Sequence, residues 1–280
     1  MSADIYLNTN SFGKLSDNVD SLIIELSDSR IQFCEFNAAQ NTPLFVIYYP
    51  IENTISQSLS EHLIGAIKHF QFSKKQYTHV LINYFDKQFT MCPTVFYDVD
   101  SSRSMLEFNV GRIENKVILT DDINAEIKLV YAIDEQLKST LDQLFPNHQL
   151  KHSLSVLSKL MLSGEEFVKE NVLLSIHSNY IEVILKQDHK LILANQFAIK
   201  TQEDVLYYVL FILEQYQLNP SSVALSIAGN IDSNSALLIS LKKYIKNIRL
   251  VKGHKSLNWT EVQGMPQHFN YSLLNRLFCE

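Results

Sequence analysis

Four sets of polar residues in this 280-residue chain have types and spacings that chemistry could use. His148 and His152 stand at i and i+4, the spacing of two metal ligands on one helical face. Pro146 and Asn147 precede them, the region reads as a strand and no third ligand is near, which favours plain surface histidines. Asp121, Asp122 and Glu126 could share acid–base work as neighbouring carboxylates, but an acidic loop ahead of a strand accounts for them and is the favoured reading. Asp28 and Asp98 could hold metals in a two-metal hydrolase, but such acids project from strand centres onto one face, and Asp28 lies in a polar turn. The last set is two short polar turns, Ser27-Asp28-Ser29-Arg30 and His177-Ser178-Asn179, with Gly229 after a later strand. No G-x-S-x-G elbow and no G-x-x-x-x-G-K phosphate loop occurs.

The chain around these residues has ample material for a core, with 46% hydrophobic and 19% charged residues. Seven glycines are few for loops that must wrap phosphates with main-chain N–H groups. A net charge of −6 speaks against a nucleic-acid partner, whose phosphates call for a basic surface. The first residues lack the apolar core of a signal peptide, and no run reaches the roughly 18 apolar residues of a membrane helix. Cys34, Cys92 and Cys279 are far apart and read as reduced thiols, which implies a cytoplasmic setting without a structural zinc.

Two stretches of the chain have the same order of elements. Residues 21–36 are two apolar runs about a polar tetrapeptide, a β-hairpin, followed by a strand at 44–49 that Pro50 ends. A helix begins after Ser58, with Glu61 completing a capping box and Leu63, Ile64, Ile67 and Phe70 on its inner face. A strand at 79–85 follows. From residue 171 the pattern returns: a hairpin about His177-Ser178-Asn179, a strand at 190–197, a helix capped by Thr201 and Asp204, and a strand at 222–228. The hairpins align without a gap at an offset of 150, Leu22 on Val172 and Ile31 on Ile181, which points to internal duplication. The second stretch adds a helix over 233–245 and a strand over 247–252. The first adds a helix near 101–108, a strand at 126–133, a helix closed by Pro146 and a strand over 150–162. Trp259 reads as a plug of the second half, and 271–278 as a short amphipathic helix.

Hairpin, strand, helix, strand, helix, strand resembles the ribonuclease-H-like unit, and two such units resemble the actin-like ATPase superfamily, with PilM, GspL and FtsA among its members. FTMCPTVFYD at 89–98 and YSLLNRLFCE at 271–280 are similar to a bacterial domain-of-unknown-function family, number 3822, found in Bacteroidetes. The resemblance implies an α/β chain: a polar arm over 1–20, a first ribonuclease-H-like unit over 21–165 and a second over 166–280. In members that use ATP, each hairpin turn wraps the phosphates and reads Asp, apolar, Gly, Ser or Thr. Glycine is there because a side chain keeps the N–H groups away from phosphate oxygens, and the aspartate helps hold magnesium. Here the first turn reads Glu25-Leu26-Ser27-Asp28-Ser29, a carboxylate kept and the glycine lost. The second reads Ser175-Ile176-His177-Ser178-Asn179, with neither, and the His177 imidazole is expected where phosphate would approach. Gly229, in Ala228-Gly229-Asn230, resembles the loop that packs on adenosine, though a tight strand-to-helix turn is the favoured reading of a single glycine.

The expectation is a pseudo-ATPase without cofactor or metal, acting as a scaffold or adaptor on a protein partner. Glu25, Ser27, Asp28, Ser29, Ser175, His177, Ser178 and Gly229 are its degenerate nucleotide-cleft positions. The alternative is an ATPase with atypical turns that takes ATP and magnesium through Glu25, Asp28, Ser29 and Gly229; a nuclease module comes third.

Overall fold

A computed structural model describes residues 4–7, 20–51, 57–163, 170–258 and 265–279. The chain divides into two units, one of residues 1–156, 255–265 and 280, the other of 157–254 and 266–279.

The first unit is built on a mixed six-stranded sheet. Strand β1 (Asp4–Leu7) leads in from the segment read as a polar arm, and the expected hairpin is β2 (Ser21–Leu26) with β3 (Arg30–Asn37). Then come β4 (Thr42–Pro50), helix α1 (Leu59–His69) and β5 (His79–Tyr84). A three-stranded insert of β6 (Phe89–Pro93), β7 (Lys116–Asp122) and β8 (Ile127–Asp134) carries helix α2 (Ser102–Val110). Helix α3 (Glu135–Leu144), strand β9 (His148–His152) and helix α4 (Ser153–Ser163) follow, and the division between units falls within α4. The large sheet runs β1-β4-β3-β2-β5-β9. All six residues of β2 are buried, as a central strand covered on both faces requires. On one face Phe33 packs among Phe70 and Phe72, with ring centroids 6.2 and 4.8 Å away. The serine hydroxyl of Ser58 accepts from Glu61 N–H while the Glu61 carboxylate accepts from Ser58 N–H, so α1 starts where its capping box stands.

The second unit repeats the plan. Its sheet runs β12-β11-β10-β13-β14, from β10 (Glu170–Ile176), β11 (Tyr180–Gln187), β12 (Lys190–Ala198), β13 (Ala224–Gly229) and β14 (Asn247–Leu250). Helices α5 (Gln202–Gln215) and α6 (Ala236–Tyr244) cover one face, where Val172, Leu174, Ile176, Val183, Leu185, Val205, Val209 and Leu241 form the core. Truncating one such leucine to alanine costs about 2–5 kcal/mol. Helix α7 (Tyr271–Asn275) with a closing turn (Arg276–Phe278) ends the described chain.

The hairpins match residue for residue. Leu26 faces Ile31 and Ile176 faces Ile181; Ser21 faces Phe36 and Asn171 faces Lys186. The irregularity between the second and third strands lies at Glu35/Phe36 in the first unit and at Leu185/Lys186 in the second, again 150 residues on. One difference is at the sheet edge: β1 pairs with β4, whereas β12, the counterpart of β4, ends its sheet.

Several expectations change. Residues 150–162 form the end of β9 and then α4, not one strand. Leu154, Leu157, Leu160 and Met161 are all buried at helical spacing. Asp121 and Asp122 belong to strand β7, not to a loop: Asp121 is buried and accepts from His152 N–H at 2.7 Å, and Asp122 pairs with Lys128. His152 is not a surface residue but fully buried, its Nε2 against Asp86 O at 2.9 Å and its Nδ1 accepting from Leu154 N–H. Trp259 lies outside the described residues.

Candidate functional site

The two hairpin turns are the places where this fold could grip a phosphate, and each is built from residues of its own unit. In the first, Glu25 sits near the end of β2, opposite Gln32 on β3 and Asn83 on β5. All three are buried, a polar row across the sheet. The Glu25 carboxylate lies 3.6 Å from the Arg30 guanidinium, so a cation of the turn itself already faces the group that would help hold magnesium. Ser27, where the superfamily resemblance expects glycine, closes the turn. Its N–H and its hydroxyl both donate to Arg30 O, at 3.1 and 3.0 Å, and its hydroxyl accepts from Arg30 N–H at 3.2 Å. Two main-chain donors of the turn are thus directed inward rather than to a ligand. Asp28 is exposed at the apex, and Ser29 is half-buried, with its carbonyl accepting from Ile51 N–H.

The second turn has the same main-chain skeleton. His177 N–H donates to Tyr180 O at 3.0 Å, as Ser27 N–H does to Arg30 O, and Ile199 N–H donates to Asn179 O as Ile51 does to Ser29. Its side chains differ. The expectation that the His177 imidazole stands in the path of a phosphate does not hold. The ring is turned down and buried, with Nε2 3.0 Å from Ser175 Oγ and 3.1 Å from Glu182 Oε2, and it stacks on Tyr180 with centroids 4.3 Å apart. Ser175 and Glu182 face each other across the hairpin, which places both beneath the ring. Ser178 is exposed at the turn. Sequence reasoning missed Glu182; the signal was a lone acid within Tyr-Ile-Glu-Val-Ile-Leu, directly opposite Ser175 once the hairpin is drawn.

Gly229 ends β13 beside Ile176, the last residue of β10. Its φ is +93°, and a Cβ there would stand 2.1 Å from Ile176 O. Its N–H donates to His268 O at 2.7 Å, while Asn230 N–H donates to Ile176 O. The glycine therefore serves a close approach of two backbones, the need that sequence alone left open. In the first unit Tyr84 occupies the matching place, opposite Leu26, and its hydroxyl donates to Asp86.

A cavity of about 490 Å³ opens beside the second turn, with Ser178, Thr201, Gln202, Asn230 and Ser235 in its wall. Helices α5 and α6 start there, and helix starts attract anions. Both are already capped. Thr201 Oγ1 accepts from Asp204 N–H, and the Asp204 carboxylate accepts from Thr201 and Lys200 N–H groups. Those two main-chain bonds hold the Asp204 carboxyl below its ordinary range. Ser235 Oγ accepts from Leu238 N–H. A carboxylate and two hydroxyls thus already accept N–H groups at these two helix starts, with Lys200 also in the cavity wall. Among the described residues no group of three or more His, Cys, Asp or Glu could hold a metal, and the three cysteines are free and buried.

The comparisons with known proteins agree with this architecture. No curated protein is similar to the chain. A Bacteroides thetaiotaomicron protein with actin-like ATPase fold and unknown function superposes with a TM-score of 0.80 at 20% identity, over 96% of this chain and 100% of that one. A chain of the PilM–PilN type IV pilus biogenesis complex gives 0.57 at 13% identity, over 94% and 96%. The ethanolamine utilization protein EutJ from Carboxydothermus hydrogenoformans gives 0.51 at 7%, over 92% and 89%. At these identities the likeness shows the fold alone. The family described as protein of unknown function (DUF3822) matches residues 9–248. The chain belongs to the DUF3822 family and has the actin-like ATPase fold.

Proposed function

We propose that this protein is a pseudo-ATPase: a duplicated actin-like chain that keeps the fold, has given up the phosphate chemistry and works as a scaffold or adaptor through protein contacts. The observation that carries the reading is the inward commitment of both turns. Ser27 N–H and hydroxyl are directed to Arg30, and His177 N–H and ring to Tyr180, Ser175 and Glu182. A triphosphate needs several such donors turned outward at once. The residue-for-residue match of the hairpins supports internal duplication. PilM, a relative in fold, is found in a complex with PilN, which supports a protein as the partner here. The net charge of −6 supports a partner other than nucleic acid, and three buried free thiols support a bacterial cytoplasmic setting.

The test is thermal unfolding with and without millimolar ATP and magnesium. A ligand at about 100 times its Kd stabilises by ~2.7 kcal/mol, a shift of several degrees. The pseudo-ATPase reading expects no shift and no hydrolysis. A shift of several degrees, or turnover that fades in Glu25→Gln, would replace it with the ATPase reading.

A further inference from the structure

We propose that the edge strand β12, with the aromatic row of α5 beside it, is the interface through which two copies of this chain associate by a two-fold antiparallel strand pairing. The equivalent edge of the first unit shows what such a strand accepts. There β1 pairs with β4 at residues 45–48, just beyond the irregularity at Glu35/Phe36. Leu193 lies opposite Leu185 as Phe45 lies opposite Glu35, so the corresponding stretch of β12 begins at Leu193. Among the described residues nothing pairs with that stretch on its outer side. The main-chain N–H of Gln196 donates instead to the side chain of its neighbour, Asn195 Oδ1, at 2.8 Å.

Natural sheets blunt a free edge with charge, proline or a bulge. Residues 193–198, Leu-Ala-Asn-Gln-Phe-Ala, carry neither charge nor proline, and the bulge lies before them. A second copy suits this stretch for two reasons. It is uncharged, so an antiparallel twin meets no repulsion, and the two Lys190 residues fall at opposite ends. The edge also continues into an apolar surface. Phe197 stacks on Tyr208 at 4.6 Å, Tyr208 meets Tyr207 at 5.3 Å, and Tyr207 stacks on Phe211 at 5.9 Å. Tyr207 is 61% and Phe211 44% exposed. The exposed parts of Tyr207 and Phe211 together offer roughly 200 Å², so with the six-residue ladder each partner buries about half of the ~800 Å² of a standard interface, the size of a weak dimer. A two-fold axis normal to the sheet, with Gln196 facing its own copy, joins the two sheets into one and brings the aromatic rows of the two α5 helices together.

Sedimentation velocity on the full chain up to about 100 µM, the range in which weak dimers become visible, reads the association. The proposal expects a dimer whose formation slows amide exchange within 193–198. The surface pair Tyr207→Glu with Phe211→Glu, and separately Gln196→Pro, are expected to weaken it by at least ~30-fold, the scale of a hot spot. Should the proline variant not fold, the glutamate pair, on an exposed helix face, still decides. A wild-type monomer throughout, a dimer indifferent to the glutamate pair, protection at another segment, or an edge that takes only an extended peptide of another protein would each overturn the assignment.

Discussion

Replacing Gly229 by alanine is expected to destabilise the second unit by about 3–5 kcal/mol, far more than one added methyl suggests. The magnitude follows from the geometry. The new Cβ would stand 2.1 Å from Ile176 O, 2.6 Å from its N and 2.8 Å from its C, all main-chain atoms that no rotamer can withdraw. Reaching the 3.4 Å of ordinary contact requires the end of β13 to move away from β10. Two hydrogen bonds then go, Gly229 N–H to His268 O and Asn230 N–H to Ile176 O, each worth about 1 kcal/mol net and more if the donor stays buried. Alanine at φ +93° adds a strain of about 1–2 kcal/mol. Urea unfolding read by circular dichroism, with calorimetry beside it, measures the change; the expected fall in Tm is roughly 6–20 °C. Gly65 is the control. It is exposed on α1 with nothing within 4 Å of its Cβ position, so Gly65→Ala is expected to stabilise by about 0.5–1 kcal/mol. Gly229→Ala within about 1 kcal/mol of wild type would refute the close-approach reasoning.

Further predictions concern buried polar groups. Burial above all, then the charge of Asp86 and its hydrogen bond, raise the Tyr84 hydroxyl, and burial raises the Cys34 thiol. Groups raised in the folded state keep their stabilising effect below the unfolded pKa and lose it as pH rises, so stability should fall above about pH 9 for the thiol and pH 10 for the tyrosine. Each group removes about 1.4 kcal/mol per pH unit, measured as urea midpoints from pH 8 to 11; a flat profile counts against their burial. Lys186 is buried, its Nζ donating to Met161 O, and burial lowers its pKa. A lowered group stabilises above its unfolded pKa and loses this as pH falls, so wild type should gain on Lys186→Met as pH climbs towards about 10.5. His177→Ala removes two hydrogen bonds and a ring stack and should cost about 2–4 kcal/mol by urea unfolding, while a change under 1 would mean the ring is dispensable.

The elements most readily read from the sequence were those with local grammar. Both hairpins, the Ser58 and Thr201 capping boxes and the strand after each helix depend on alternation and cap chemistry within a few residues. Residues 153–156 misled because Ser153 and Ser155 alternate with Leu154 and Val156 as solvent-facing positions would, yet these serines, and Ser158, are fully buried. A small hydroxyl near a helix backbone does not mark solvent the way a lysine does. His152 misled for a non-local reason: its partners, Asp121 and Asp86 O, are 31 and 66 residues away in sequence. The turns were legible as departures from a phosphate-binding pattern, but the direction of the His177 ring was not. It depends on Glu182, whose place beneath the turn emerges only from the strand register.

The interleaved membership of the two units has a consequence for biosynthesis. Residues 255–265 return to the first unit after the chain has passed through the second, and 266–279 go back again. Asn258 N–H donates to Asn41 O, a contact between residues more than two hundred apart. A ribosome therefore releases most of the first unit long before residues 255–258 of that unit exist, and the second unit waits in turn for 266–279. Stalled or truncated translation products should hold β2 and β3 paired yet remain open to proteases until those late segments are made.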